Sequence, residues 1–212
     1  MVPRLLAAGA LAVVLAVPAG AAAEPPFTAK VTRVRAPDVR WSYRAGCPVP
    51  PSRLREIRLA YWGFDGARHL GRIVVAATVV ASVEGVFRRL YAARFPIRTL
   101  LPVDVFHGSD MRSMVADNTS GFNCRAAVAP GPRHWSAHAY GLAIDVDPLE
   151  NPYRIAGAWL PPAGARFADR SNLRPGMAVE GGVLVRAFAA AGWGWGGRWS
   201  DPDYQHFSST GN

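Results

Sequence analysis

Between Ile57 and Phe106 the hydrophobic period changes from two to 3.6 and back, and that switch commits the chain to mixing strands with a helix. The stretch IRLAYWGFDG (57–66) alternates and then reaches Asp65-Gly66, and RIVVAA (72–77) follows, which together read as a β-hairpin. Over 78–95, Val79, Val83, Val86, Phe87 and Leu90 recur at helical spacing, and Pro96 stops the run. IRTLLPVDVF (97–106) is expected to be a strand. Between Tyr140 and Asp147 alternation returns, with Leu142, Ile144 and Val146 on one face and Ala143, Asp145 and Asp147 on the other. Residues 180–192 read as a short helix closed by Gly192, with a last turn and strand behind it. The segments 107–135 and 148–178, rich in Gly, Ser, Asn and Pro, are expected to be connections. The fold class is therefore α+β, a small antiparallel sheet with flanking helices.

The N-terminus bears on the compartment. MVPRLLAAGALAVVLAVPAGAAAEPP has a charged start at Arg4, an apolar run from Leu5 to Val17, a break at Pro18-Ala19-Gly20, and three small residues ending at Ala23. That order predicts a secretory signal peptide over 1–23, with no stable membrane span after cleavage and a secreted or cell-envelope location. A flexible lead-in over 24–40 and one folded domain over 41–212 are expected to follow, as a monomer. The two cysteines, Cys47 and Cys124, are then expected to pair as a disulfide. The formal charge is +9, and Lys30 is the only lysine among 24 basic residues. Such a surface favours anionic polymers. The chain has no basic run or aromatic-basic alternation of the nucleic-acid-binding kind, so nucleic acid is excluded as a partner.

Polar residues in two stretches carry the chemistry. In SAHAYGLAID (136–145), His138 precedes the strand that holds Asp145, and a bend at Gly141 would let them converge. In WGWGGRWSDPDYQHF (193–207), Asp203 and His206 are three apart, so one turn brings both to one side. Two imidazoles and a carboxylate form a hydrolytic zinc set with a position left for water, and a further carboxylate can take the water proton. On residue types alone, Asp147 competes with Asp145 and Asp201 with Asp203. His134 and His138 make an HxxxH pair without the Glu of a zincin motif. His69 and His107 read as surface or hydrogen-bonded residues. For Trp193, Trp195 and Trp199 two roles stay open, cleft wall or core.

Taken together, Ser136-x-His138-x-x-Gly141-x-Ala143-x-Asp145, then Gly196-Gly197-Arg198-Trp199, then Asp203 and His206-Phe207, resemble the LAS metallopeptidases. That group holds D-Ala-D-Ala peptidases, lysostaphin-type enzymes and hedgehog signalling domains. The pattern is most similar to the branch of VanY-like D-Ala-D-Ala carboxypeptidases and L-alanyl-D-glutamate endopeptidases. It covers about residues 97–208, while 41–96 match loosely. The resemblance implies a hedgehog/D-Ala-D-Ala-peptidase-like zinc fold, zinc on His138, Asp145 and His206, and Asp203 as catalytic base. It favours Asp145 over Asp147 and Asp203 over Asp201. It also implies an upstream arginine that steadies the substrate carbonyl. Arg112 in SDMRSM is the candidate catalytic arginine, with Arg125 in FNCR as its competitor and, with Ser136, a substrate-binding candidate.

The expected function is an exported zinc peptidase of peptidoglycan stem peptides, a D-alanyl-D-alanine carboxypeptidase first. An L-alanyl-D-glutamate endopeptidase or a non-catalytic zinc-containing wall-binding protein of the same fold is the alternative. Serine chemistry is excluded, because no serine stands three residues before Lys30 and no G-x-S-x-G elbow occurs.

Overall fold

The computed structural model describes residues 24–128 and 132–211. The signal-peptide reading of residues 1–23 lies outside the described residues. The structure mixes helices with small, mostly antiparallel sheets. Strand β1 (Ala29–Arg33), β2 (Leu54–Trp62) and β3 (Arg68–Ala76) form one antiparallel sheet in the order β1-β2-β3. The β2–β3 hairpin turns where expected, with Asp65 Oδ1 accepting from the Ala67 amide at 3.0 Å. Helix α1 (Val80–Ala92) buries Val83, Val86, Phe87 and Leu90, four of the periodic residues, in one core with Ile57, Leu59, Ile73 and Val75 of the hairpin.

Three expectations need correction. Residues 24–40 are not a separate lead-in, because β1 lies among them and pairs along β2 from Ala29↔Leu59 to Arg33↔Arg55. Its residues are mostly exposed, so this edge strand carries no apolar alternation to read. The strand expected over 97–106 shrinks to β4 (Thr99–Leu100), because Pro102 starts a tight turn over Val103–Phe106. The supposed connection 107–135 holds α2 (Asp110–Val115) and β5 (Asn118–Thr119), which pairs in parallel with β4.

The second three-stranded sheet holds the candidate site. Its strands are β6 (Ala143–Asp145), β9 (Gly194–Trp195) and β10 (His206–Ser208), in the order β6-β10-β9. Between them in sequence come a small hairpin, β7 (Tyr153–Ile155) with β8 (Ala158–Leu160), and α3 (Val183–Ala189). Ile144, Phe207 and Trp195 join the core that α1 and α3 share with the first sheet. The small sheet is thereby fixed on its apolar face, and its polar residues turn the other way. Phe188 of α3 stacks on Phe207 with centroids 4.1 Å apart. Gly141 seats the site against the first sheet. Its φ is +68°, and a Cβ there would lie 2.6 Å from the Ala76 amide, so no other residue fits. The Gly141 carbonyl accepts from that amide at 2.9 Å.

Candidate metal centre

Asp145 and His206 are register partners on β6 and β10. The far side of Asp145 pairs with Ser120, with both backbone bonds at 2.9 Å. The carboxylate therefore projects from a backbone held on both flanks. His138 arrives from a tight turn, Ala137–Tyr140, whose N-cap Ser136 accepts from the His138 amide at 3.3 Å. Asp145 Oδ1 lies 3.1 Å from His206 Nδ1, Asp145 Oδ2 lies 3.1 Å from His138 Nε2, and the two histidine nitrogens are 3.2 Å apart. All three residues are buried, and this is the one such metal-capable group among the described residues.

The donor set fits a zinc ion. Zinc–ligand bonds of about 2.0–2.2 Å at tetrahedral angles separate donor atoms by about 3.3 Å. The observed spacings are close to that. His138 Nδ1 donates to the Gly121 carbonyl at 2.7 Å, which leaves Nε2 as a lone-pair donor facing the other two residues. Burial opposes a charge on Asp145, yet His138 and His206 hold its pKa well below the ordinary carboxylate value.

The competitors separate on backbone conformation and exposure. Asp147 has φ of +41°, so the alternation breaks just past β6 and its carboxylate turns away from the trio. Its Oδ1 accepts instead from the Arg98 amide at 2.9 Å and the Thr119 hydroxyl at 3.2 Å. Asp201 is exposed, whereas Asp203 lines the cleft beside His138 and His206. His134 is exposed and turned to the Pro132 carbonyl at 3.0 Å. His69 bonds Asp65 at the hairpin, and His107 packs its ring on Trp41, 5.2 Å between centroids.

The cleft is about 580 Å³. Asp203 presents a carboxylate whose Oδ1 is covered and has no hydrogen-bond partner. Burial pushes its pKa up to about 7, aided by Asp145 and opposed by His206 and Arg125. Tyr140, Leu142, Val128 and Trp199 add apolar surface to the cleft lining. Trp199 is 41% exposed with its ring 5.4 Å from that of His206, whereas Trp193 and Trp195 are buried in the core.

The two arginine candidates part company. Arg112 is exposed on α2 and is absent from the cleft lining, so the structure does not bring it to the trio. Arg125 lines the cleft with Ser136. Its neighbour Cys124 is bridged to Cys47, with Cα atoms 5.9 Å apart, and the Arg125 carbonyl accepts from the Ser136 amide at 3.1 Å. Burial works against the Arg125 charge, but Asp110, Asp145 and Asp203 more than offset it. Two residues of this environment escape sequence reading. Asp110 pairs with Arg125, and the phenol of Tyr153 is pushed up to about 12 by burial and by the nearby carboxylates of Asp110 and Asp203. Neither carries a motif signal.

The buried trio could hold a metal ion beside the cleft. Residues 130–209 match the model of a family described as D-alanyl-D-alanine carboxypeptidase, a match that supports the VanY-like metallopeptidase superfamily over that part of the chain. No curated protein and no solved structure matches the chain. Among the described residues, no helix is long and apolar enough to cross a membrane.

Proposed function

We propose that this protein is an exported zinc peptidase that hydrolyses peptidoglycan stem peptides. The observation that carries the reading is the buried His138–Asp145–His206 trio, with donor atoms 3.1–3.2 Å apart, opening on a cleft that also holds Asp203. A merely structural metal site has no use for that extra carboxylate. His138, Asp145 and His206 would hold the zinc, which supplies Lewis acidity toward a carbonyl and activates water. Asp203 takes a proton from the attacking water and passes it to the amine nitrogen as the C–N bond breaks. Arg125, in the role first given to Arg112, faces the carbonyl oxygen as it gains charge. Ser136 acts through the turn that carries His138 and through its own place in the cleft wall.

The family match supports cleavage of terminal D-alanine. One observation favours the endopeptidase reading instead. A carboxypeptidase of this design needs one arginine for the oxyanion and another cation for the terminal carboxylate. Of Arg112, Arg125 and Arg198, Arg125 alone lines the cleft, and Arg198 is bound to Glu180 at 2.7 and 2.9 Å outside it. A pair of stem peptides decides, one ending in free D-alanine and one amidated there, with products of the zinc-loaded protein read by mass. Loss of activity on the amide establishes the carboxypeptidase, and equal rates establish the endopeptidase. Inactivity on both, with zinc bound, overturns the peptidase reading.

A further inference from the structure

Among the described residues Arg125 is the one guanidinium lining the cleft, and it shares that lining with the Asp203 carboxylate, which attracts it. Coulomb attraction grows as the separation shrinks, and more steeply where water is scarce. Left alone, the side chain would collapse onto that carboxylate, cancelling its own charge and that of Asp203. It does not, since Asp203 Oδ1 remains without a hydrogen-bond partner. What lies on the other side of Arg125 is Asp110, with Oδ1 3.0 Å from Nε. The contact is ionic rather than a directed hydrogen bond, because Nε meets no acceptor in line with its N–H.

We propose that Asp110 is a positioning residue that draws Arg125 away from Asp203 and leaves its terminal nitrogens for the substrate carbonyl. This rests on the peptidase reading above. The surroundings fit the task. Asp110 is fixed by the first turn of α2 and by Asn123, whose amide donates to the same Oδ1 at 3.4 Å. The Arg125 backbone is tied on both sides, by the Cys47–Cys124 bridge and by Ser136, so the guanidinium direction is the freedom that remains. Besides Asp110, the guanidinium makes one long contact, from Nη1 to the Ala126 carbonyl at 3.4 Å. With Nε buried against Asp110, the group cannot offer the side-on fork through Nε that grips a free carboxylate, but its outer edge can still meet a single oxygen.

The test uses the zinc-loaded protein and the variants Asp110→Asn, Asp110→Glu, Arg125→Gln and the double variant Asp110→Asn/Arg125→Gln. Asp110→Asn keeps the shape and the bond from Asn123 while removing the charge. It is expected to lower kcat by about tenfold or more, short of the roughly 10²–10³-fold that outright removal of an oxyanion donor costs, with KM changed less than about threefold. Zinc per chain stays at the wild-type level. Asp110→Glu, which keeps the charge, recovers most of the rate. Arg125→Gln loses at least as much as Asp110→Asn, and the double variant loses no more than Arg125→Gln alone. Rates for Asp110→Asn within about twofold of wild type, or a double variant whose loss is the product of the single losses, overturn the proposal. So does a fall in unfolding midpoint with an unchanged rate per folded molecule, which would make the pair structural only. A wild-type protein inactive on stem peptides overturns the peptidase reading and this role with it. An active wild type with an indifferent Asp110 overturns this role alone.

Discussion

Asp145 and His206 sit directly opposite one another on β6 and β10, Oδ1 to Nδ1 at 3.1 Å, although 61 residues separate them in sequence. Two ladder partners on one sheet face cannot drift apart without breaking the sheet, so the site is preformed by strand pairing. His138 needs only its turn and the Gly121 carbonyl to complete the set. The expected outcome is about one zinc per chain in the wild type and close to none in His206→Ala. Metal analysis after gel filtration checks it. Equal zinc in both removes His206 from the ligand set.

Asp203 is expected to behave differently. It stands outside the group of three whose donor atoms converge, so Asp203→Asn retains the metal. Turnover falls by about 10²–10⁴-fold, the usual worth of a positioned general base. Rate and zinc content measured on one preparation decide the matter. Loss of both together would make Asp203 a ligand, and loss of neither would pass the base role to another group.

How far the site could be read from the sequence follows from what kind of force placed each residue. Periodicity reports burial, so the hairpin, α1 and α3, which bury one face, were legible, and so was β6. The edge strand β1 buries almost nothing and was not. The trio was legible because motif spacing and strand pairing coincide. Asp147 looked equivalent to Asp145 only while the strand was taken to continue. A left-handed backbone at Asp147 ends that equivalence and turns the side chain to Arg98 and Thr119. The arginine was hardest to read. Arg112 and Arg125 both lie in loop-like sequence, and what brings Arg125 to the cleft is a bridge to Cys47 and a backbone bond to Ser136, neither of which shows in local spacing.

The Cys47–Cys124 bridge closes a separation of 77 residues and packs beside Val34, Val39, Leu54 and Phe122. Replacing both cysteines by serine is expected to cost about 2–4 kcal/mol of stability. Because Arg125 follows Cys124, kcat on stem peptides is also expected to fall while zinc content holds. Denaturant unfolding alongside kinetics and metal analysis checks all three. A stable, fully active double-serine variant would leave the bridge without either role.

The last prediction concerns pH and a second group of carboxylates, outside the cleft lining. Glu150 and Asp117 are both buried and interact closely, with Arg98 Nη2 3.4 Å from Glu150 Oε1 and Arg98 Nε 3.5 Å from Asp117 Oδ2. One arginine, itself nearly half exposed, cannot neutralise two buried carboxylates and Asp147 beside them. Burial, followed by the bond and charge of Asp117, pushes the Glu150 pKa up to about 8, from an ordinary value of 4.5. A carboxyl with a raised folded-state pKa holds its proton longer in the folded chain than in the unfolded one. Its contribution to stability is therefore complete below about pH 4.5 and is lost as pH rises toward about 8. Glu150→Gln keeps a hydrogen-bond donor toward Asp117 and removes the titration. Its urea midpoint is expected to fall less than that of the wild type between about pH 5 and about pH 8, leaving a residual slope from Asp147, whose pKa is raised in the same direction. Parallel slopes for the two proteins would show that Glu150 does not hold its proton in the folded chain, and that Arg98 compensates the pair after all.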